Sequence, residues 1–230
     1  MRSKHQMTLD CPTPVVSERS SMATDTTTQD RTGQIDLPAG VQLFEVRRFG
    51  DQRGFFSELY AEARYRANGL DMTFCQDNVS CSAPVGTIRG LHFQYPPFAQ
   101  DKLVIVLQGA IVDVLVDLRP ASPDFGVPTM IDLSAENGRQ LLVPRGFAHG
   151  FCTLQPNTMV FYKVTAPYAP SHDAGIHWAD PDLGIKWPVM LEAATVSEKD
   201  ARLPRLRDVP LIDWTLPSTV SGSVGTSGAA

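Results

Sequence analysis

The sequence has no C-x-x-C pair, no excess of basic charge and no apolar run near membrane-spanning length. A spanning helix needs about 20 apolar residues. Each shortage removes a class of function. The four cysteines, Cys11, Cys75, Cys81 and Cys152, are scattered. That usage fits reduced, structural thiols in a cytoplasmic protein, with a Cys75–Cys81 disulfide as the lesser alternative. A net charge of −5 with dispersed Lys and Arg gives no footprint for nucleic acid, so an anionic ligand is expected to be small. The first forty residues lack the apolar core of a signal peptide. Helix signals are few. The segment "ELYAEARYRANG" (58–69), ended by Asn68-Gly69, is one.

What is present is strand. Residues 1–33 are polar and aperiodic, which predicts a disordered arm, with Met22 as an alternative start. Residues 216–230 form a small-residue, flexible tail, leaving one folded domain over 34–215. Inside it, "VQLFEVRRF" (41–49) alternates in polarity, and "KLVIVLQGAIVDVLVDL" (102–118) predicts two strands in a hairpin about Gln108-Gly109. In the second arm Val112, Val114, Val116 and Leu118 share one face, and Ile111, Asp113, Leu115 and Asp117 the other. "PTMIDL", "RQLLVP", "AHGFCTL" and "TMVFYKVT" are further short strands. Many short strands at this spacing predict an all-β sandwich or barrel with a few short helices.

Two apolar strands carry residues that strands of a core normally exclude. "GTIRGLHFQYPP" (86–97) holds Arg89 and His92 among Ile88, Leu91 and Phe93. A spacing of three puts them on opposite faces of an ideal strand. Gly90 between them permits a bulge that would bring both to one cavity. "GRQLLVPRGFAHG" places His149 in a similar setting, with Gly138, Pro144 and Gly146 ahead of it. That spacing resembles the second signature of the cupin superfamily, and Gly86 to His92 resembles the start of the first. The cupin-type double-sheet β-barrel, or jelly roll, is therefore the expected fold. Metal-binding cupins carry a second His two positions after the first and a Glu shortly beyond. Here Gln94 takes the His position, and Phe98 and Ala99 fall near the Glu position. Amide and apolar groups are poor transition-metal ligands, so neither metal nor cofactor is expected. The mouth of such a barrel suits a small organic ligand.

The stretches "FGDQRGFFSELY", "FCQDNVS", "RGLHFQYPPFAQDK", "PRGFAHGF", "VFYKVTAPYAP", "GIHWADPDLGIKWP" and "SEKD" occur in order between about 38 and 210. Together they resemble the dTDP-4-dehydrorhamnose 3,5-epimerase family. That resemblance implies proton abstraction and return at the carbons flanking the C4 ketone of a dTDP-4-keto-6-deoxyhexose, giving dTDP-4-dehydro-L-rhamnose. It implies His92 as base, Asp200 as the carboxylate behind it, Tyr162 as the proton donor opposite, and Lys102 beside the enolate oxygen. Arg89 and Arg53 would hold the pyrophosphate, while Gln76 and Asn78 would bond sugar or phosphate. His149 would line the same pocket. Phe49, Phe56 and Tyr168 would surround the nucleotide, and Glu58 would contact the base or steady Arg53. The family is dimeric with an exchanged N-terminal strand, which implies a homodimer in which Arg53 and Phe56 complete the neighbour's site. Pro167 before Tyr168 departs from the family pattern. It leaves open a single-position epimerase acting at C3, and a non-catalytic sugar-nucleotide-binding cupin is the remaining alternative.

Overall fold

The computed structural model describes residues 36–214. The expected terminal arms, with His5, Cys11 and Met22, lie outside the described residues. The strands are β1 (Gln42–Glu45), β2 (Arg48–Asp51), β3 (Gly54–Ser57), β4 (Gln76–Ser82), β5 (Ile88–Gln94) and β6 (Lys102–Gln108). They continue with β7 (Ala110–Asp117), β8 (Pro128–Ser134), β9 (Arg139–Val143), β10 (Phe147–Thr153), β11 (Thr158–Val164) and β12 (Asp173–Gly175). Two five-stranded antiparallel sheets result, ordered β1-β9-β6-β11-β4 and β12-β5-β10-β7-β8, and β2-β3 forms a separate hairpin. This is the expected cupin-type double-sheet architecture.

The alternation in β7 shows how the layers are filled. Ile111 and Leu115 point into the space between the sheets, where they meet Val104, Val106, Leu141 and Val160 from the first sheet. Val112, Val114 and Val116 point the other way, beneath Trp178, Trp187 and Trp214 of the C-terminal segment. Both faces of the strand are covered, so its sequence is nearly continuous in apolar residues. Burying each such side chain stabilises the fold by roughly 1.5–3 kcal/mol. On the outer face of the first sheet, Leu103 and Leu142 are capped by Tyr65 and Leu70. Tyr65 belongs to the helix α1 (Glu62–Ala67), which is shorter than the 58–69 signal and ends at Asn68 as that signal indicated.

Three local expectations change. The run 102–118 is two strands, but not a hairpin, because β6 and β7 belong to different sheets. Gly109, at φ +80°, turns the chain across the edge of the sandwich, and a Cβ there would lie 2.3 Å from Thr158 Oγ1. Such a turn needs glycine. The run 41–49 is likewise divided, with β1 pairing β9 and β2 pairing β3. Cys75 and Cys81 are both free. They lie six residues apart along extended chain, about 20 Å, far beyond the reach of a disulfide.

Candidate active site

Strand β5 answers the problem of Arg89 and His92. His92 pairs with His149 and Arg89 with Phe151 of β10, so Gly90 and Leu91 together oppose the single residue Gly150. That two-against-one step is a bulge, and it resets the alternation. Ile88, Leu91 and Phe93 pack on the outer core, while Arg89, His92 and Gln94 line a cavity of about 530 Å³. Gly90 adopts φ +126°, and a Cβ on it would lie 2.6 Å from Gly150 Cα. Two facing glycines let the strands approach this closely. Arg89 is exposed at the cavity rim rather than buried. Its guanidinium donates to Ser82 Oγ at 3.0 Å and to the Cys81 carbonyl at 3.3 Å.

The two sheets supply different parts of the cavity wall. From the second sheet come His92 and His149, and from the first come Lys102 on β6 and Tyr162 on β11. Asp200 arrives from the C-terminal segment, which is bound to the barrel through a parallel bridge between Thr87 and Thr195. Asp200 Oδ1 lies 2.7 Å from His92 Nε2, and Oδ2 accepts the Gly90 N–H at 3.1 Å. Asp200 engages Nε2, which leaves Nδ1 as the ring nitrogen available for proton transfer. Burial pushes the Asp200 carboxyl up, but His92, the Gly90 N–H and Ser197 outweigh it and hold the group below the ordinary aspartate value.

Electrostatics separate the remaining groups by task. Burial pushes the Lys102 ammonium down to about 8, against the pull of Asp113 and Asp173. Its Nζ donates to the His92 carbonyl at 3.3 Å. A cation so poorly solvated interacts strongly with an anion that forms beside it. Burial raises the Tyr162 phenol, which Arg89 partly offsets, so the phenol holds its proton at neutral pH. His149 Nε2 lies 2.8 Å from Asp113 Oδ2 in a second, deeper His–Asp pair.

Of the residues expected at the site, His92, Lys102, Asp200, Tyr162, Arg89, His149 and Tyr168 line one cavity. Gln76 and Asn78 sit just outside that lining on β4, with Gln76 Nε2 donating to Asn78 Oδ1 at 2.7 Å. Arg53, Phe49 and Phe56 lie on the β2-β3 hairpin, outside the cavity of their own chain. Both rings are exposed, Phe49 by 51% and Phe56 by 69%. Glu58 does not steady Arg53 in this chain. It pairs with Arg64 at 3.0 Å, while Arg53 is held by Asp51 two residues away. Sequence reasoning missed Asp113, Asp173 and Lys199. The strand face of Asp113 was legible, but its partner was not. Lys199 stands beside Asp200 in "SEKD" and donates to Asp173, which also accepts from Tyr168 Oη at 3.1 Å. Among the described residues no three His, Cys, Asp or Glu side chains are grouped as a metal site requires. No helix among them is long and apolar enough to cross a membrane.

Two facing sheets around a cavity of histidine, carboxylate, phenol and lysine define a cupin-fold protein equipped for proton transfer. Residues 36–208 match the family model for dTDP-4-dehydrorhamnose 3,5-epimerase, and the chain belongs to that family of isomerases. It is 52% identical over 173 residues to the dTDP-4-dehydrorhamnose 3,5-epimerase of Sinorhizobium fredii, covering 75% of this chain and 88% of that protein. The crystal structure of the Bacillus anthracis enzyme, with TDP and pyrophosphate bound, has TM-score 0.70 and 54% identity over 72% of this chain and 94% of that one. The Legionella pneumophila enzyme in complex with dTDP-4-keto-L-rhamnose has TM-score 0.70 and 42% identity, covering 74% and 89%.

Proposed function

We propose that the chain converts dTDP-4-dehydro-6-deoxy-D-glucose to dTDP-4-dehydro-L-rhamnose by inverting C3 and C5, in dTDP-L-rhamnose biosynthesis. The observation that carries this reading is the placement of His92 and Tyr162 on opposite sheets of one cavity, with Asp200 behind the first. His92 takes the proton from the carbon beside the ketone and becomes imidazolium, which Asp200 stabilises. The electron pair moves to the carbonyl oxygen, and the Lys102 cation stabilises the enolate. Tyr162 gives its phenolic proton to the other face of the carbon, the ketone re-forms, and the configuration is inverted. Solvent reprotonates the phenolate and takes the proton from His92, so the step involves no net oxidation or reduction. Arg89 at the rim presents its guanidinium to the pyrophosphate, since guanidinium forks suit phosphate oxygens.

Incubation with this substrate in D₂O tests the reading. Mass spectrometry should find product carrying two solvent-derived deuterons. One deuteron would make the chain a single-position epimerase, and none would remove the proton-transfer role. Tyr162→Phe should still exchange deuterium at C3 but form little inverted product. Equal loss of exchange and inversion would mean that Tyr162 is not the donor.

We further propose a homodimer in which the β2-β3 hairpin, with Arg53 and Phe56, reaches the neighbour's cavity. Its exposed aromatic rings and its position outside its own cavity support this assignment. Arg53→Ala and His92→Asn chains, each inactive alone, should regain part of the activity when mixed and refolded together. Failure to regain any would place Arg53 outside a shared site.

A further inference from the structure

Gln94 occupies the position where a metal-binding cupin has a histidine ligand, and the structure shows what its amide does instead. It is buried, with 4% exposure. Its Oε1 accepts the Ala169 N–H at 2.8 Å, and its Nε2 donates to the carbonyls of Phe98 at 2.7 Å and Pro167 at 3.1 Å. Only this orientation satisfies all three partners, because an N–H needs the oxygen and two carbonyls need the nitrogen. The amide is therefore fully committed to backbone. Two more glutamines reach the same loop. Gln76 Oε1 accepts the Tyr168 N–H at 3.0 Å, and Gln100 Nε2 donates to the Ala166 carbonyl at 2.8 Å. Four consecutive residues, 166 to 169, are thus each held once, by side chains from three places in the chain.

The loop so held carries Tyr168 into the cavity wall. Tyr168 Oη donates to Asp173, Asp173 accepts from Lys199, and Lys199 adjoins Asp200 of the base pair. Three amides therefore hold a wall that ends beside Asp200, the carboxylate behind His92. The reaction puts an unusual demand on that wall. In the proposed reaction one base removes protons from two carbons on either side of a ketone, so the sugar must present first one and then the other to it. Small misplacement of a reacting carbon is costly, and each of the two transfers needs its own placement.

We propose that Gln94, assisted by Gln76 and Gln100, is a positioning residue that sets the completeness of double inversion by fixing Tyr168. This rests on the epimerase reading above and adds to it a determinant of how many carbons are inverted per encounter. Loss of the clamp lets the once-inverted sugar escape before the second transfer, so singly deuterated product accumulates.

The test compares wild type, Gln94→Met and Gln100→Met in D₂O with dTDP-4-keto-6-deoxy-glucose, by the ratio of singly to doubly inverted product at low conversion, the epimers being separated and each counted for deuterium. The ratio should rise about fivefold or more in Gln94→Met, which loses three hydrogen bonds, and by less in Gln100→Met, which loses one. A structural role alone would lower kcat and leave the ratio at its wild-type value, and that result would overturn the proposal. Should Gln94→Met fail to fold, an unchanged ratio in Gln100→Met overturns it equally. A wild-type enzyme that takes up no deuterium refutes the epimerase reading instead, so the two failures are distinct.

Discussion

Two His–Asp pairs stand side by side across one strand boundary, with both imidazoles and Asp200 lining the cavity and Asp113 buried behind His149. His92 and His149 are register partners on β5 and β10, and their bonds to Asp200 and Asp113 are 2.7 and 2.8 Å. Geometry within each pair is thus nearly the same. Surroundings differ. The His92 side chain keeps 32% of its surface open, against 9% for His149. Asp200 fills both oxygens, one with His92 and one with the Gly90 N–H. Asp113 is fully buried, and its Oδ1 has no hydrogen-bond partner among the described residues. A satisfied carboxylate behind an open imidazole suits proton transfer, because the ring meets substrate while its charge is supported. A buried carboxylate with a spare oxygen instead supplies negative charge to the cavity floor, where it opposes the burial shift of Lys102. In the proposed mechanism the open pair moves protons, while the buried Asp113 opposes the loss of charge on Lys102.

The sharpest way to break this comparison is to remove the open imidazole. His92→Asn should lower deuterium exchange at both carbons by about 10²–10⁴-fold, the range of a general base. Retention of near-wild-type exchange would pass the base role to His149 and collapse the distinction. Asp200→Asn should cost less, about 10²-fold in kcat with little change in KM, the low end of that general-base range, since it removes the partner that orients and stabilises the imidazolium. A rise in KM with kcat unchanged would instead make Asp200 a binding group.

Asp113→Asn addresses the second pair through pH. The Lys102 ammonium titrates at about 8 in the fold, below the ordinary lysine value of about 10.4. The folded state therefore releases this proton first. The destabilising cost of burying the cation is fully present below about 8 and disappears as pH rises through the ordinary value. Enolate stabilisation needs the charged form, so kcat/KM, which reports the free enzyme, should fall as pH rises through about 8. Removing the Asp113 charge should move that alkaline limb lower, and an unmoved limb would sever Asp113 from Lys102. His149→Gln should have the smallest effect, roughly a three- to tenfold loss in kcat/KM, because the Gln amide can still donate to Asp113 and leave the limb near its wild-type position.

Much of this site was legible as residue types on strands. "GTIRGLHFQ" placed a base in an apolar context and flagged Gly90 as the means of turning Arg89 and His92 to one cavity. The structure shows that bulge in the His92–His149 and Arg89–Phe151 pairings. Asp113 shows the limit of pattern reading. Alternation gave its face, but the imidazole it bonds lies 36 residues away on another strand. The hairpin expected at 102–118 failed for a related reason. Gln108-Gly109 signals a tight turn, and a turn signal does not specify whether the next strand stays in the sheet or crosses to the other one.

The sequence by itself determined the alternating faces of β7, the bulge-permitting glycine in β5 and the chemical kinds of group available, because these depend on neighbours a few residues apart. Residue pattern held nothing about Asp200, 108 residues after His92; the family resemblance anticipated it behind that ring, and tertiary packing is what puts it there. That packing also decided that Tyr162 should line the cavity from the other sheet, and that three glutamines should converge on one loop. Closure of two sheets brings together residues whose separation along the chain carries no information about their distance. Local periodicity fixes which way a side chain points, and only the packed barrel fixes what it points at.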